Sequence, residues 1–315
     1  MVNRRLLRIK VLQEIYAHLK SNSDSINASE KELFYSIDRS YQLYYYIFQL
    51  LLELRKTAEK KLEVAQKKKI PSYEDLHPNK KFVENRVLQQ LENSETLGRY
   101  IEKNKISWVH YPEYIKNLFN RLAETDLYIQ YMENKTDSYQ EDKKFIAKLL
   151  EKFLLYDVEF YDILEERSVY WNDEVDFIIS MATSFVKKLT AEQEDIDLLP
   201  KYKNEEDVEF TKTLFRKTLL NHTNYQGIIK EFTYNWDVER IAYLDNLMMA
   251  QAICEVTQFP SIPVKVTINE YIEMAKLYST QNSGNFINGI LDKIIHKLRE
   301  EGKINKQGRG LIGES

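Results

Sequence analysis

Apolar residues return at intervals of three and four along most of this chain, the spacing that lines one face of a helix. The pattern predicts a first helix from about Arg4 to Leu19 with Leu12, Ile15 and Leu19 inward, ended by the polar run Ser21-Asn-Ser-Asp-Ser-Ile-Asn27. A longer helix follows from about Ser29 to Lys68 through Tyr41-Gln-Leu-Tyr-Tyr-Tyr46 and Leu50-Leu-Leu-Glu-Leu54. Lys67, Lys68 and Lys69 close it with the charge a helix C-terminus favours, and Pro71, which lacks a backbone donor, stops it. Near the other end, Asp237 is placed to cap a helix running to about Val256, apolar nearly all round through Ile241, Leu244, Leu247, Met248, Ala252 and Ile253. A helix of that kind is central and buried. Gln258-Phe-Pro-Ser-Ile-Pro263 ends it, because its prolines hold the backbone extended. Thr267 and Glu270 have capping-box spacing at the start of a helix that faces Ile268, Tyr271, Ile272 and Ala275 inward. Ser283 is placed to cap the last helix, whose stripe is Phe286, Ile287, Ile290, Leu291, Ile294, Ile295 and Leu298, with Gly289 permitting close approach of a neighbour.

Between Pro78 and Thr257 the pattern repeats. Trp108, Trp171 and Trp236 each follow a phenylalanine, Phe82, Phe145 and Phe210, by the same 26 residues. A shift of 65 aligns Glu141-Asp142 with Glu206-Asp207, Phe145 with Phe210, Leu149 with Leu214, Leu154-Leu155 with Leu219-Leu220, Ile163 with Ile228 and Trp171 with Trp236. Of the 34 pairs beginning at residue 141, 11 are identical. Any two amphipathic helix pairs share leucines, but tryptophans are rare, so the match points to duplication. One unit reads as a helix carrying the Phe-Leu-Leu stripe, a second ending near the tryptophan and a third beginning just after it. Such a unit cannot bury its own apolar face, so its copies must stack.

Composition agrees with an all-α fold: 8 Gly and 6 Pro in 315 residues are too few for the turns of a sandwich or barrel. Gly302, Gly308, Gly310 and Gly313 crowd the last residues, so 303–315 is expected to be a flexible tail. The one cysteine, Cys254, excludes an internal disulfide and any multi-cysteine metal site, and on its apolar helix it reads as an inert core thiol. Arginines at the N-terminus replace the apolar stretch of a signal peptide, and no apolar run is long enough to span a bilayer. A cytoplasmic protein without membrane contact is expected. The segment from Glu192 to Glu209 holds eight carboxylates and Pro200 and reads as a solvated connector.

His18, His77, His110, His222 and His296 are scattered without ligand spacing, and no glycine-rich phosphate loop exists. Neither catalysis, metal nor cofactor is expected. The net charge of −4 conceals a basic start, where Arg4, Arg5, Arg8, Lys10 and Lys20 face one acid, Glu14. Arg4 and Arg8 lie one turn apart with Arg5 between, so the guanidiniums fan over one side of a helix, an arrangement suited to phosphate. Helix-end aromatics, Tyr278 and Phe286, are placed to stack bases of single-stranded RNA, although Phe286 also fits an apolar core stripe.

The residues Asn3-Arg-Arg-Leu-Leu-Arg-Ile-Lys-Val-Leu-Gln-Glu-Ile-Tyr16 resemble the first helix of the NusB family of bacterial transcription antitermination factors. Phe215-Arg216, Leu219-Leu220, Trp236, Asp245, Glu255, Ile262-Pro263, Ile268-Asn269-Glu270, Ala275-Lys276 and Phe286-Ile-Asn-Gly-Ile-Leu-Asp-Lys293 resemble the remainder in order. The resemblance implies a NusB-like helical bundle from residues 1–20 and 204–302, with an inserted helical domain of repeated units over 25–200. It further implies a factor that binds boxA-type single-stranded RNA in ribosomal RNA leader transcripts together with NusE, a small-subunit ribosomal protein, and delivers it to the RNA polymerase elongation complex. By matching position, Arg4, Arg5 and Arg8 would meet phosphates, Tyr278 and Phe286 bases, and Tyr16 and Asp245 NusE. Leu6 and Ala250 stand where the family often has arginine, which thins the basic patch and puts a local charge pair in doubt; Asn282 stands where it commonly has an acid. The insertion's Lys67-Lys-Lys69 and Lys80-Lys81 could extend RNA contact, although lysines at helix ends are more often merely solvated. Two other readings remain: a NusB-like module of an RNA methyltransferase system, which requires a downstream nucleotide-binding domain not expected beyond Ser315, and a protein-interaction scaffold with decayed RNA binding.

Overall fold

A computed structural model describes residues 3–193, 195–196, 198–233 and 242–313. Among these, fifteen α-helices and no strand are found: α1 (Arg4–Lys20), α2 (Ile26–Gln66), α3 (Tyr73–Leu76), α4 (Arg86–Asn93), α5 (Glu95–Asn104), α6 (Pro112–Ala123), α7 (Asp126–Glu133), α8 (Tyr139–Lys152), α9 (Val158–Arg167), α10 (Val175–Lys188), α11 (Glu205–Leu220), α12 (His222–Thr233), α13 (Tyr243–Gln258), α14 (Val264–Tyr278) and α15 (Ser283–Glu300). The fold is all-α, as the spacing predicts. Two compact units divide the chain, one spanning Asp38–Lys201, the other comprising the described residues of Val2–Ile37 and Tyr202–Ser315. The division falls inside α2, past the polar run at 21–27.

In the unit Asp38–Lys201 the core is aromatic. Tyr44, Phe48, Phe82, Trp108, Phe160 and Trp171 are all but inaccessible, and Tyr45 stacks on Tyr100 with ring centroids 3.6 Å apart. Buried indoles need acceptors: Trp108 Nε1 donates to the Tyr46 carbonyl at 3.0 Å and Trp171 Nε1 to that of Arg39 at 2.7 Å. The first part of the stretch Glu192–Glu209, expected to be a solvated connector, is held down at its described residues, with Ile196 and Leu198 buried and Tyr41 Oη donating to the Leu199 carbonyl at 2.6 Å.

The other unit is built round α13, whose Leu247, Met248, Ala250, Ala252, Ile253 and Cys254 are fully buried. Helices α1, α11, α12, α14 and α15 pack on it. Burial pushes the Cys254 thiol up to about 11, in keeping with an inert core residue. Asn3 caps α1 by accepting from Leu6 N at 2.9 Å.

Three capping expectations fare differently. Asp237, like Trp236 and Ile241, lies outside the described residues. Thr267 and Glu270 form no capping box: α14 begins three residues earlier at Val264 behind Pro263, and both side chains serve α13 and α1. Ser283 is the first residue of α15, not its cap; its Oγ accepts from Thr280 N at 3.2 Å and donates to Asp245 Oδ2 at 2.7 Å. Nor is 303–313 a loose tail. Lys306 Nζ donates to the Phe259 carbonyl and Gln307 N to that of Pro260, while Gly310 packs so closely that a Cβ there would run into the Pro260 oxygen.

The shift of 65 relates helices as well as letters, carrying α8 and α9 onto α11 and α12. A local device also recurs. Asn85 caps α4, and Arg86, the first helical residue, pairs with Asp142 on α8 at 3.4 Å; Asn3 caps α1, and Arg4 pairs with Asp207 on α11 at 3.0 Å. Four residues on, Gln90 donates to the Thr190 carbonyl at 3.0 Å, where Arg8 meets Glu255, 65 positions after Thr190. The first copy departs from the pattern, since Phe82 lies in a turn rather than on a helix.

Candidate nucleic-acid interface

The start of α1 presents its arginines to α11, α13 and α14, and each finds a carboxylate. Arg8 is the deepest, with its side chain 3 % exposed, and makes a two-pronged pair with Glu255 at 2.7 Å on both prongs. Glu255 also accepts from Thr267 Oγ1 at 2.8 Å and Tyr271 Oη at 3.3 Å, and Gln251 donates to the Arg8 carbonyl at 3.0 Å. An acid on a wholly buried helix requires such a partner set. Burial alone would lower the pKa of Arg8, but Glu255 outweighs it and holds the guanidinium firmly charged. Arg8 is therefore a structural cation and not a phosphate ligand, contrary to the fan read from sequence. Lys10 is equally buried.

Arg5 sits nearer the surface, with its side chain 40 % exposed, its Nε and Nη2 donating to Glu270 at 2.9 Å each. Burial would raise the pKa of Glu270, but the hydrogen bonds from Arg5 and the nearby Arg8 charge win and lower it. Arg4, 35 % exposed, gives Nε to Asp207 at 3.0 Å and lies 3.8 Å from Glu206. The guanidiniums of Arg4 and Arg8 rest over the ring of Phe210, 5.0 and 5.3 Å from its centroid. Together these arginines line a cavity of about 610 Å³, with Ile262, Pro263, Val266, Glu270, Arg309 and Ile312. A guanidinium has five N–H donors, so Arg4 and Arg5 keep groups for an anion while their carboxylates fix their orientation.

Tyr278 ends α14 and Phe286 lies in the first turn of α15; both are half-buried and engaged with neighbours. Eight residues of α14, about 12 Å along its axis, separate Glu270 from Tyr278. Tyr16 is 40 % exposed and meets Tyr243 edge-on at 5.7 Å, with Lys20 Nζ 4.0 Å from the Tyr243 centroid. Asp245, by contrast, is 4 % exposed, its Oδ2 accepting from Ser283 while its Oδ1 has no partner among the described residues. Its place is in the α13–α15 junction, not on a partner-facing surface. Leu6 and Ala250 are buried, so the positions where the family often has arginine face the core here. In the other unit Lys68 pairs with Asp75 at 2.8 Å, and Lys81 Nζ donates to the Thr136 carbonyl at 3.1 Å and lies over Tyr131.

Sequence reasoning faced Tyr271 inward and matched Glu255 to the family without giving either a role beside Arg8, and it missed Arg309. A second buried acid on α13 besides Asp245 could have pointed to Arg8; nothing marked Arg309, in a glycine-rich tail. No group of three or more potential metal-binding side chains is found among the described residues, and no described helix is long and apolar enough to cross a membrane.

Comparison with known proteins adds independent findings. The model of the NusB family matches residues 174–296. Curated relatives include the transcription antitermination protein NusB of Salinibacter ruber, 43 % identical over 105 residues that make up 33 % of this chain and 66 % of the relative. NusB of Chloroherpeton thalassium is 36 % identical over 33 % of the chain and 49 % of the relative, and that of Natranaerobius thermophilus 33 % identical over 33 % and 77 %. The chain thus spans about half to two thirds of the first two relatives. No solved structure matches.

Proposed function

Because the chain belongs to the NusB family, we propose that it is a transcription antitermination factor that works in the cytoplasm by binding and not by chemistry. It captures a boxA-type single-stranded RNA element of ribosomal RNA leader transcripts together with NusE and delivers it to the RNA polymerase elongation complex. The observation that carries this reading is the cavity at the start of α1, where Arg4 and Arg5 are held by carboxylates yet remain partly exposed. Pre-oriented guanidiniums give phosphate its two-pronged contact at little entropic cost. Tyr278 and Phe286 then offer ring faces to bases, and the Tyr16–Tyr243–Lys20 patch receives NusE.

The test is binding of a boxA-type RNA by fluorescence anisotropy across a salt series. Changing Arg4 and Arg5 together to alanine should weaken binding at least tenfold and lower the slope of log K against log salt by about 1.4, or ~0.7 per phosphate contact. Unchanged affinity and slope would remove the cavity from the RNA interface.

A further inference from the structure

The three arginines at the start of α1 are each neutralised: Arg4 by Asp207, Arg5 by Glu270 and Arg8 by Glu255. An anion in the cavity they line gains most from a cation whose charge no carboxylate already shares. Arg309 is such a cation. It lies in the 3-10 turn Gly308–Leu311, is exposed, and has no carboxylate within ion-pair distance among the described residues. Its position is built, not accidental. The segment carrying it is fastened by Gln307 N to the Pro260 carbonyl at 2.9 Å and by Lys306 Nζ to the Phe259 carbonyl at 3.0 Å, and Gly310 closes against Pro260 where no Cβ fits. Apolar side chains share the lining, with Val266 44 % and Ile312 68 % exposed beside Pro263. Guanidiniums and apolar side chains together, around about 610 Å³, suit one nucleotide, its phosphate on the guanidiniums and its base on the aliphatic side chains.

We propose that the docked C-terminal segment is part of the RNA interface, and that Arg309 contributes an RNA-phosphate contact that α1 alone cannot make. This inference rests on the RNA-binding reading above. In the anisotropy series, Arg309→Ala should weaken boxA-type RNA binding about tenfold, as for loss of one charge-assisted contact, and lower the salt slope by about 0.7. Gly310→Ala, which keeps the arginine but forces the segment off Pro260, should give the same loss, and neither variant should shift either unit's thermal transition by more than about a degree or two. If Arg4→Ala with Arg5→Ala weakens binding while Arg309→Ala leaves affinity and slope unchanged, the segment is not part of the site and the RNA-binding reading stands. If Gly310→Ala weakens binding and Arg309→Ala does not, the segment acts through packing and the phosphate contact is refuted. Absence of RNA binding by the unaltered protein overturns both readings together.

Discussion

Adjacent arginines on one helical turn do different work here because of depth. Arg8 and Glu255 are both almost inaccessible, so removing one partner leaves a buried charge without compensation. Arg8→Ala is therefore expected to cost about 3–5 kcal/mol of folding stability, whereas Arg5→Ala, at a half-open pair, should cost about 1 kcal/mol or less. Urea denaturation of the two variants measures this; equal losses would mean that Arg8 is not the structural cation described. Glu14 on the same helix is 9 % exposed, and burial, reinforced by Glu32 and only partly offset by a hydrogen bond with Ser29, raises its pKa from 4.5 to about 7. A carboxyl whose folded pKa lies above its unfolded one favours folding at low pH and loses that advantage as pH rises through the folded value. Stability should thus fall between about pH 5 and pH 8 through this group. Glu14→Gln should be more stable than the unaltered protein by on the order of 1–2 kcal/mol at pH 8, with the difference shrinking toward pH 5. Parallel stability curves for the two proteins would refute the assignment.

Helices themselves were legible, and their ends were less so. Predicted Arg4–Leu19 and Ser29–Lys68 match α1 and α2 to within a few residues because apolar spacing and Pro71 leave little freedom. Capping chemistry misled at α14 and α15. Thr267, Glu270 and Ser283 have the right types and spacing for caps, but Glu255, Arg5 and Asp245 from other helices offered them stronger partners. Local propensity competes with tertiary hydrogen bonding, and a single sequence shows only the first competitor. The same limit explains the candidate site. A helical fan of arginines can be drawn from spacing alone, but which of them is buried depends on α13, more than two hundred residues away. Arg309 was invisible for the converse reason: a glycine-rich end reads as frayed until the loop at Phe259 and Pro260 supplies its acceptors.

Across the whole molecule, the described residues gather into two cores and not one. Trp108 and Trp171 serve the unit Asp38–Lys201, while Arg4, Arg5, Arg8, Arg309 and the cavity they line belong entirely to the other. The recurrence of an Asn cap, an Arg in the first turn and an Asp partner in both units fits duplication of a helical module. In the copy, Gln90 and Thr190 stand where Arg8 and Glu255 keep the ionic centre, so a device that binds charge in one unit has become neutral in the other. Separate cores make a separable prediction. Trp171→Ala removes a fully buried indole and its hydrogen bond to Arg39, a loss of about 3–5 kcal/mol confined to the unit that holds it. A thermal scan should show one transition shifted down and the other in place, with affinity for boxA-type RNA within twofold of the unaltered protein. A matching fall in RNA affinity would mean that the inserted unit takes part in binding, and its lysines at Lys67, Lys68, Lys80 and Lys81 would be the first to change to alanine.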